Sequence, residues 1–415
     1  MSAINNKLIA VPNKVRQRYN NFFNETNEQN KYNKIENFFK NYFITVSPTF
    51  EDYFNKNRPK KRKIITIFLR FVDILNILRS GICAIFDDKW IASLMCDFTY
   101  IFVNQKLMAF SLCMGLFNFN ILATGMLYYF ESKSILHLIS YFYNIKIQNI
   151  DYKLNNKYRD KYCKRLKLMT TFLNEIMIIS VIILYFFYSI TVMIVYFISE
   201  MNISLYSIIF WNICTLISIF NLLSIVFGAF IVGYLSILHM KYQFNQINEQ
   251  IKQSLKLNNS FMLKKAIKSH NFVTQNTNKL NFNSKYAIFV GYYFIKLLIN
   301  IFMYLCISSK TNIIFRLSHI ITIFFAISLV FALTALLVNL SKSAHNPILF
   351  LYSFIVQNRH NINVKFKILS FIEKLSGPVI GFYCYDFFPM NSYNFYEYIV
   401  SYFTMYLLIH GLIES

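Results

Sequence analysis

Residues 207–255 read SIIFWNICTLISIFNLLSIVFGAFIVGYLSI followed directly by LHMKYQFNQINEQIKQSL. The first block carries no Asp, Glu, Lys or Arg, and it is longer than the roughly 20 residues that cross a hydrocarbon core. The second block changes character without a break. Phe244, Ile247, Ile251 and Leu255 recur at spacings of three and four among polar residues. That pattern predicts an amphipathic helix carrying the span on into water.

Six other windows have the length and apolarity of a span: Ile64–Phe86, Leu107–Phe130, Met169–Ser199, Ile288–Ser308, Asn312–Val338 and Phe395–Ile413. The first holds Arg70, Asp73 and Arg79. Arg70 and Asp73 stand three apart on one helical face, where pairing lowers the cost of insertion. Trp90–Val103 is apolar but short and contains Asp97, so it reads as a helix on the outer face rather than a span. The composition agrees. Of 415 residues 56% are hydrophobic and only 15% charged, against roughly a quarter charged in soluble domains. The expected fold is all-α, a polytopic membrane protein with seven transmembrane helices.

Charge placement orients the threading. No cleavable signal peptide is visible, since the early apolar stretch LIAV is too short, so the first span is its own insertion signal. With a cytosolic start, the inside segments 1–63, 131–168, 238–287 and 339–394 hold 35 Lys and Arg, and the outside segments hold 3. Such a bias sets the amino terminus in the cytosol and the carboxyl terminus outside. It also explains the net charge of +23 as cationic loops on the cytosolic side, with part of the Lys, Asn, Ile, Phe and Tyr excess matching AT-rich codons. Nucleic acid is not the expected partner. G-protein-coupled receptors share seven spans but have the opposite orientation, and their DRY-type and NPxxY-type motifs are missing.

Enzymatic chemistry finds no support. The seven histidines form no HxxxH or HExxH pair, which a metal site on one helix face needs. GxSxG, P-loop and GxGxxG motifs are absent, and Glu175 and Asp97 stand alone. The seven cysteines are scattered, with no CxxC pair, so neither a disulfide framework nor a zinc site is expected. No enzyme activity, metal or cofactor is implied.

The chain then divides into a cytosolic segment 1–63, spans one to four over 64–237, a cytosolic helical extension 238–287, spans five and six over 288–338, a cytosolic segment 339–394 and the last span within 395–415. A second helical stretch, about Ser260–Asn283, leads into the fifth span. Val364–Phe382 reads as a buried cytosolic helix punctuated by Ser376-Gly377-Pro378. Of four N-x-S/T sequons, at Asn24, Asn202, Asn258 and Asn339, only Asn202 faces outward in this topology, close to the bilayer.

From about Ala266 onward the chain resembles the insect and arthropod gustatory receptor family. Ser269-His270-Asn271 with Lys279-Leu280-Asn281 looks like that family's helix before the fifth span. FKILSFIEKLSGPVIGFYCYDFFPMN, Phe366–Asn391, looks like its approach to the last helix, with Leu375, Phe382, Cys384, Phe388 and Asn391 in matching places. The last helix is similar to the family's TYxxxxxQF signature, with Tyr406 matching and Met405, Leu412 and Ile413 standing where it places Thr, Gln and Phe. The resemblance implies a plasma-membrane chemosensory receptor for small molecules such as tastants, a ligand-gated non-selective cation channel. It would be a homo- or hetero-tetramer that needs no G protein. The cytosolic segments 238–287 and 339–394 would be the assembly anchor, and the seventh helices would surround one pore for permeant cations.

Within that frame Tyr406, Ile409 and Leu412 are the pore candidates. Ile409 would form a hydrophobic gate, three residues before Leu412 on the same face. A leucine ring offers no oxygen to a dehydrating cation, which shifts selectivity to backbone groups or His410. The competing reading is lipid-facing or packing residues of a terminal span. Span direction places Phe110, Tyr185, Tyr188, Trp211, Tyr304, Arg316 and His319 at mid-depth or toward the outside, as ligand-pocket candidates. Among 45 Phe and 30 Tyr, core packing competes for each aromatic, and snorkelling competes for Arg316. The alternative functions are an inverted-topology transporter, which should show pseudo-symmetric halves, and a non-conducting scaffold subunit.

Overall fold

The structure, a computed structural model, describes residues 60–86, 88–96, 153–166, 205–307, 313–357, 362–385 and 387–394. Single helical positions are added at 168, 179, 182, 185, 186 and 189 and between 396 and 411. Some helical side chains, those of 221–232 among them, lie outside the description. The chain divides into two units, Met1–Thr66 and Ile67–Ser415, and the packing described below belongs to the second.

In chain order the elements are α1 (Lys60–Ile85), α2 (Lys89–Met95), α3 (Leu205–Lys256), α4 (Ser260–Ile307), α5 (Ile313–His345), α6 (Pro347–Gln357) and α7 (Ile362–Ser376). Two strands of two residues follow, β1 (Tyr383–Cys384) and β2 (Phe388–Pro389). The core is the mutual packing of α3, α4 and α5, with α6 against α7 and α3, and β1 against α4. At 52 and 48 residues, α3 and α4 are about 78 and 72 Å long.

The continuous helix expected from residues 207–255 is present. Phe244, Ile247, Ile251 and Leu255 are all buried, the outcome their spacing predicts. Each such side chain contributes about 1.5–3 kcal/mol on burial. At its end Asn258 adopts the left-handed conformation (φ 51°). The Asn259 N–H reaches the Ser254 carbonyl at 2.9 Å and the Asn258 N–H that of Leu255 at 3.2 Å, a Schellman closure. Asn259 Oδ1 then accepts from the Phe261 and Met262 N–H groups at 3.1 and 3.0 Å, capping α4. Two adjacent asparagines thus turn one long helix back along another.

The described part of α3 has two surfaces. Near its start Ile209, Phe210 and Ile213 are exposed, and beyond residue 233 its apolar side chains are buried. Phe68 and Phe71 on α1 and Phe324 and Phe331 on α5 are exposed as well. An apolar surface of this extent marks contact with a bilayer or a partner. Counting described residues only, no helix is long and apolar enough to cross a membrane.

Two local expectations change. The helix expected over Val364–Phe382 stops at Ser376, because Pro378 has no N–H to donate and disfavours helix in the residue before it. The following segment forms the β1–β2 pair, with Tyr383 opposite Pro389 and Cys384 opposite Phe388. The fold is mostly helical, with this one short hairpin among the described residues. The sequence reading also missed α6, whose signal is Asn346-Pro347, with proline at the first helical position. Trp90–Val103 is helical as expected only over α2, which ends at Cys96 in the left-handed region (φ 52°); residues 97–103 lie outside the described residues.

Candidate functional site

The charges of the first apolar window are structural ties. Arg79 on α1 donates from Nε to the Met95 carbonyl at 2.7 Å and from Nη2 to that of Cys96 at 2.6 Å. It also donates from Nη1 to Thr215 Oγ1 at 3.2 Å. The end of α2 leaves carbonyls without helical partners, and a cation there suits the helix dipole. The same guanidinium lies 4.9 Å from the Trp211 ring centre, within cation–π range. Trp211 donates its indole N–H to Leu94 at 3.1 Å and is buried with Val72, Ala92, Cys96, Ile208 and Cys214. Nearby, Ser218 donates to Asp73 Oδ1 at 2.7 Å, and Asn76 donates to the Cys214 carbonyl at 3.3 Å. One corner thus joins α1, α2 and α3.

Hydrogen bonds set the register of the long helices. Along α4 and α5, His270 meets Ala344 and Tyr292 meets Thr334, so rising numbers on one face falling numbers on the other. Thr277 of α4 meets Met240 of α3 in the same antiparallel sense. Trp211 lies near the start of α3, Tyr304 near the end of α4, and Arg316 and His319 near the start of α5. Four of the pocket candidates therefore fall toward one end of the α3–α4–α5 bundle. Tyr185 stands half-buried, four residues before Ser189, whose hydroxyl donates to Asn212 at 3.2 Å, next to Trp211. Tyr304, Arg316 and His319 are helical positions whose side chains are not described, and Phe110, Tyr188, Asn202, Tyr406, Ile409 and Leu412 lie outside the described residues.

Below that end, Lys296 of α4 is buried and donates to Ser401 Oγ on the last helix. No motif pointed to this pair. The only sequence signal was a lysine inside an apolar window.

The opposite end of the bundle gathers the segments that carry the gustatory resemblance. His270 sits between the Phe244 and Phe371 rings, with centroids 5.0 and 5.1 Å away. Its Nε2 lies 3.0 Å from the Ala344 carbonyl and is the donor, so Nδ1 faces the Thr274 hydroxyl as acceptor at 3.4 Å. Burial holds the ring well below the usual histidine range, at about 4, with the Ala344 hydrogen bond opposing and His345 and Lys374 adding to the shift. His345 accepts at Nε2 from the Ile380 N–H at 2.9 Å and reaches the Leu375 carbonyl with Nδ1 at 2.8 Å, which fixes the neutral tautomer. Its pKa is also lowered by burial. Asn281 Oδ1 accepts from the Tyr383 N–H at 2.7 Å, and Lys374 donates to Asn271 at 2.7 Å. Ser341 packs so close to Gly381 that an added Cβ would stand 3.4 Å from its own. Among the described residues no group of three His, Cys, Asp or Glu is placed to hold a metal.

These features define an architecture: long antiparallel helices packed together, with a short hairpin at one end. Solved structures with a similar fold include two of one receptor. The insect olfactory receptor OR5 from Machilis hrabei superposes with a TM-score of 0.65 at 11% identity, covering 85% of this chain and 90% of that one. The same receptor in complex with eugenol gives 0.63 at 10% identity, covering 86% and 91%. No family model and no curated protein matches the chain. The likeness is one of fold, the fold of an insect receptor, and it is to an olfactory receptor; the gustatory assignment rests on the sequence alone.

Proposed function

We propose that this protein is a seven-span chemosensory receptor of the plasma membrane, a ligand-gated cation channel subunit resembling the gustatory receptors and acting as a tetramer. The observation that carries the reading is the fold shared over 85% of the chain with an insect olfactory receptor. The exposed apolar faces of α1, α3 and α5 and the inside excess of Lys and Arg support its place in a bilayer. A receptor of that fold is known in complex with eugenol, which supports a small organic ligand here.

The ligand would bind at the end of the bundle that holds Trp211, Tyr304, Arg316 and His319. Helix α4 passes from Tyr304 to Lys296, about 12 Å further along its axis, where it holds Ser401 of the last helix. A ligand that moves α4 would therefore move the last helix, on which Tyr406, Ile409 and Leu412 are the proposed pore residues. The anchor segments 238–287 and 339–394 would hold four copies together beneath it.

The test is recording from oocytes expressing the chain, alone and with candidate partner subunits, against a panel of small organic ligands with G-protein signalling blocked. Ligand-evoked cation currents, altered in reversal potential by Leu412→Gln, are expected. Solute flux without discrete openings would establish the transporter instead, and a tag at Met1 accessible on intact cells would reverse the threading.

A further inference from the structure

We infer that the cleft between α4 and α7 in the cytosolic bundle is a binding site for a soluble, compact polyphosphate. The cleft is about 240 Å³, and Ser260, Lys264 and Asn271 on α4 face Lys367, Ser370 and Lys374 on α7 across it. The spacing is that of one helical face in each case, so three lysines line one cleft. Among the described residues no Asp or Glu lines it. Phosphoryl oxygens are the ligand chemistry that suits several ammonium donors with no carboxylate beside them. The Lys374 ammonium is already positioned by Asn271 Oδ1 at 2.7 Å, and the two serines add hydroxyl donors.

Position selects the source of the phosphate. On the membrane reading proposed above, which this inference rests on, the fifth span begins at Ile288. Lys264 precedes it along the continuous α4 by about 36 Å of helix. The headgroup layer extends only about 5–8 Å beyond the hydrocarbon core, so a bilayer lipid does not reach the cleft and a diffusible anion does. The bound anion would cross-link α4 to α7, and so the helix carrying His270 and Lys296 to the segment that leads into the last helix.

The test uses the full chain purified in detergent, with inositol hexakisphosphate and inorganic triphosphate as calorimetric probes. Saturable binding at one site per chain is expected, weakened about tenfold by each of Lys264→Gln, Lys367→Gln and Lys374→Gln. The control Lys153→Gln/Lys164→Gln/Lys256→Gln, which removes as much charge from exposed positions elsewhere, should leave it unchanged, and thermal melts confirm that each variant is folded. Absence of saturable binding, or equal loss in the control, overturns the site. Lysine-dependent binding of phosphatidylinositol bisphosphate in lipid nanodiscs, with neither soluble probe bound, overturns the soluble assignment. Binding is read without a current, so a failed recording leaves it standing, and failed binding leaves the channel reading untouched.

Discussion

Acid should loosen the packing of α3, α4 and α7 around His270. The ring is 1% exposed, and its pKa lies at about 4 in the fold against about 6.5 unfolded. The unfolded chain therefore binds more protons between those values, and stability rises with pH there. The contribution is fully present above about pH 6.5 and lost as pH falls toward 4. Relative to pH 7.5 the loss is about 1 kcal/mol at pH 5.5 and about twice that at pH 4.5. Protonation also takes away the lone pair that faces Thr274. His345 acts in the same direction, since its protonation removes the acceptor for Ile380. The perturbation is His270→Gln, which keeps an N–H for Ala344 and does not titrate. The assay is thermal unfolding followed by intrinsic fluorescence at the three pH values. His270→Gln should be less stable at pH 7.5, having lost the ring between Phe244 and Phe371, but should fall less with acid, keeping only the His345 part of the slope. Parallel pH slopes for the two proteins would refute the assignment.

Two further outcomes follow from single contacts. Arg79→Met should destabilise the α1–α2–α3 corner by about 3–5 kcal/mol, as breaking a buried, hydrogen-bonded charge network does; because Cys96 is 2% exposed, the release of α2 is measured as faster maleimide labelling of that thiol. Asn281→Ala leaves the Tyr383 N–H without its acceptor and should cost about 1–3 kcal/mol, measured as a lower Tm with earlier proteolysis at the β1–β2 hairpin, while Asn281→Asp, which keeps the acceptor oxygen, should retain most of the stability near neutral pH.

Periodicity and charge were local enough to read directly. The run 207–255 declared one continuous helix because its apolar residues keep helical spacing after the uncharged stretch ends, and the structure buries those residues. The same reasoning failed at Val364–Phe382, where apolar content suggested helix but Gly377-Pro378 ended it, and at α6, where an Asn-Pro start was overlooked. For the candidate site, position along each helix was legible and partnership was not. Trp211, Tyr304, Arg316 and His319 stand near helix ends that residue number alone locates. That Trp211 faces Arg79 and Leu94 required α3 to be brought against α1 and α2, more than a hundred residues earlier in the sequence.

The sequence by itself determined where helices run, which faces are apolar and which ends collect lysine and arginine, because these follow from spacing along one chain and from the cost of moving charge across lipid. Only the tertiary structure decided which polar groups meet: Arg79 with the end of α2, His270 with Ala344, Asn281 with Tyr383 and Lys296 with Ser401. Buried donors and acceptors take whatever partner the packing delivers, and packing joins residues separated by up to 145 positions in these and neighbouring contacts. No local pattern encodes such a pairing.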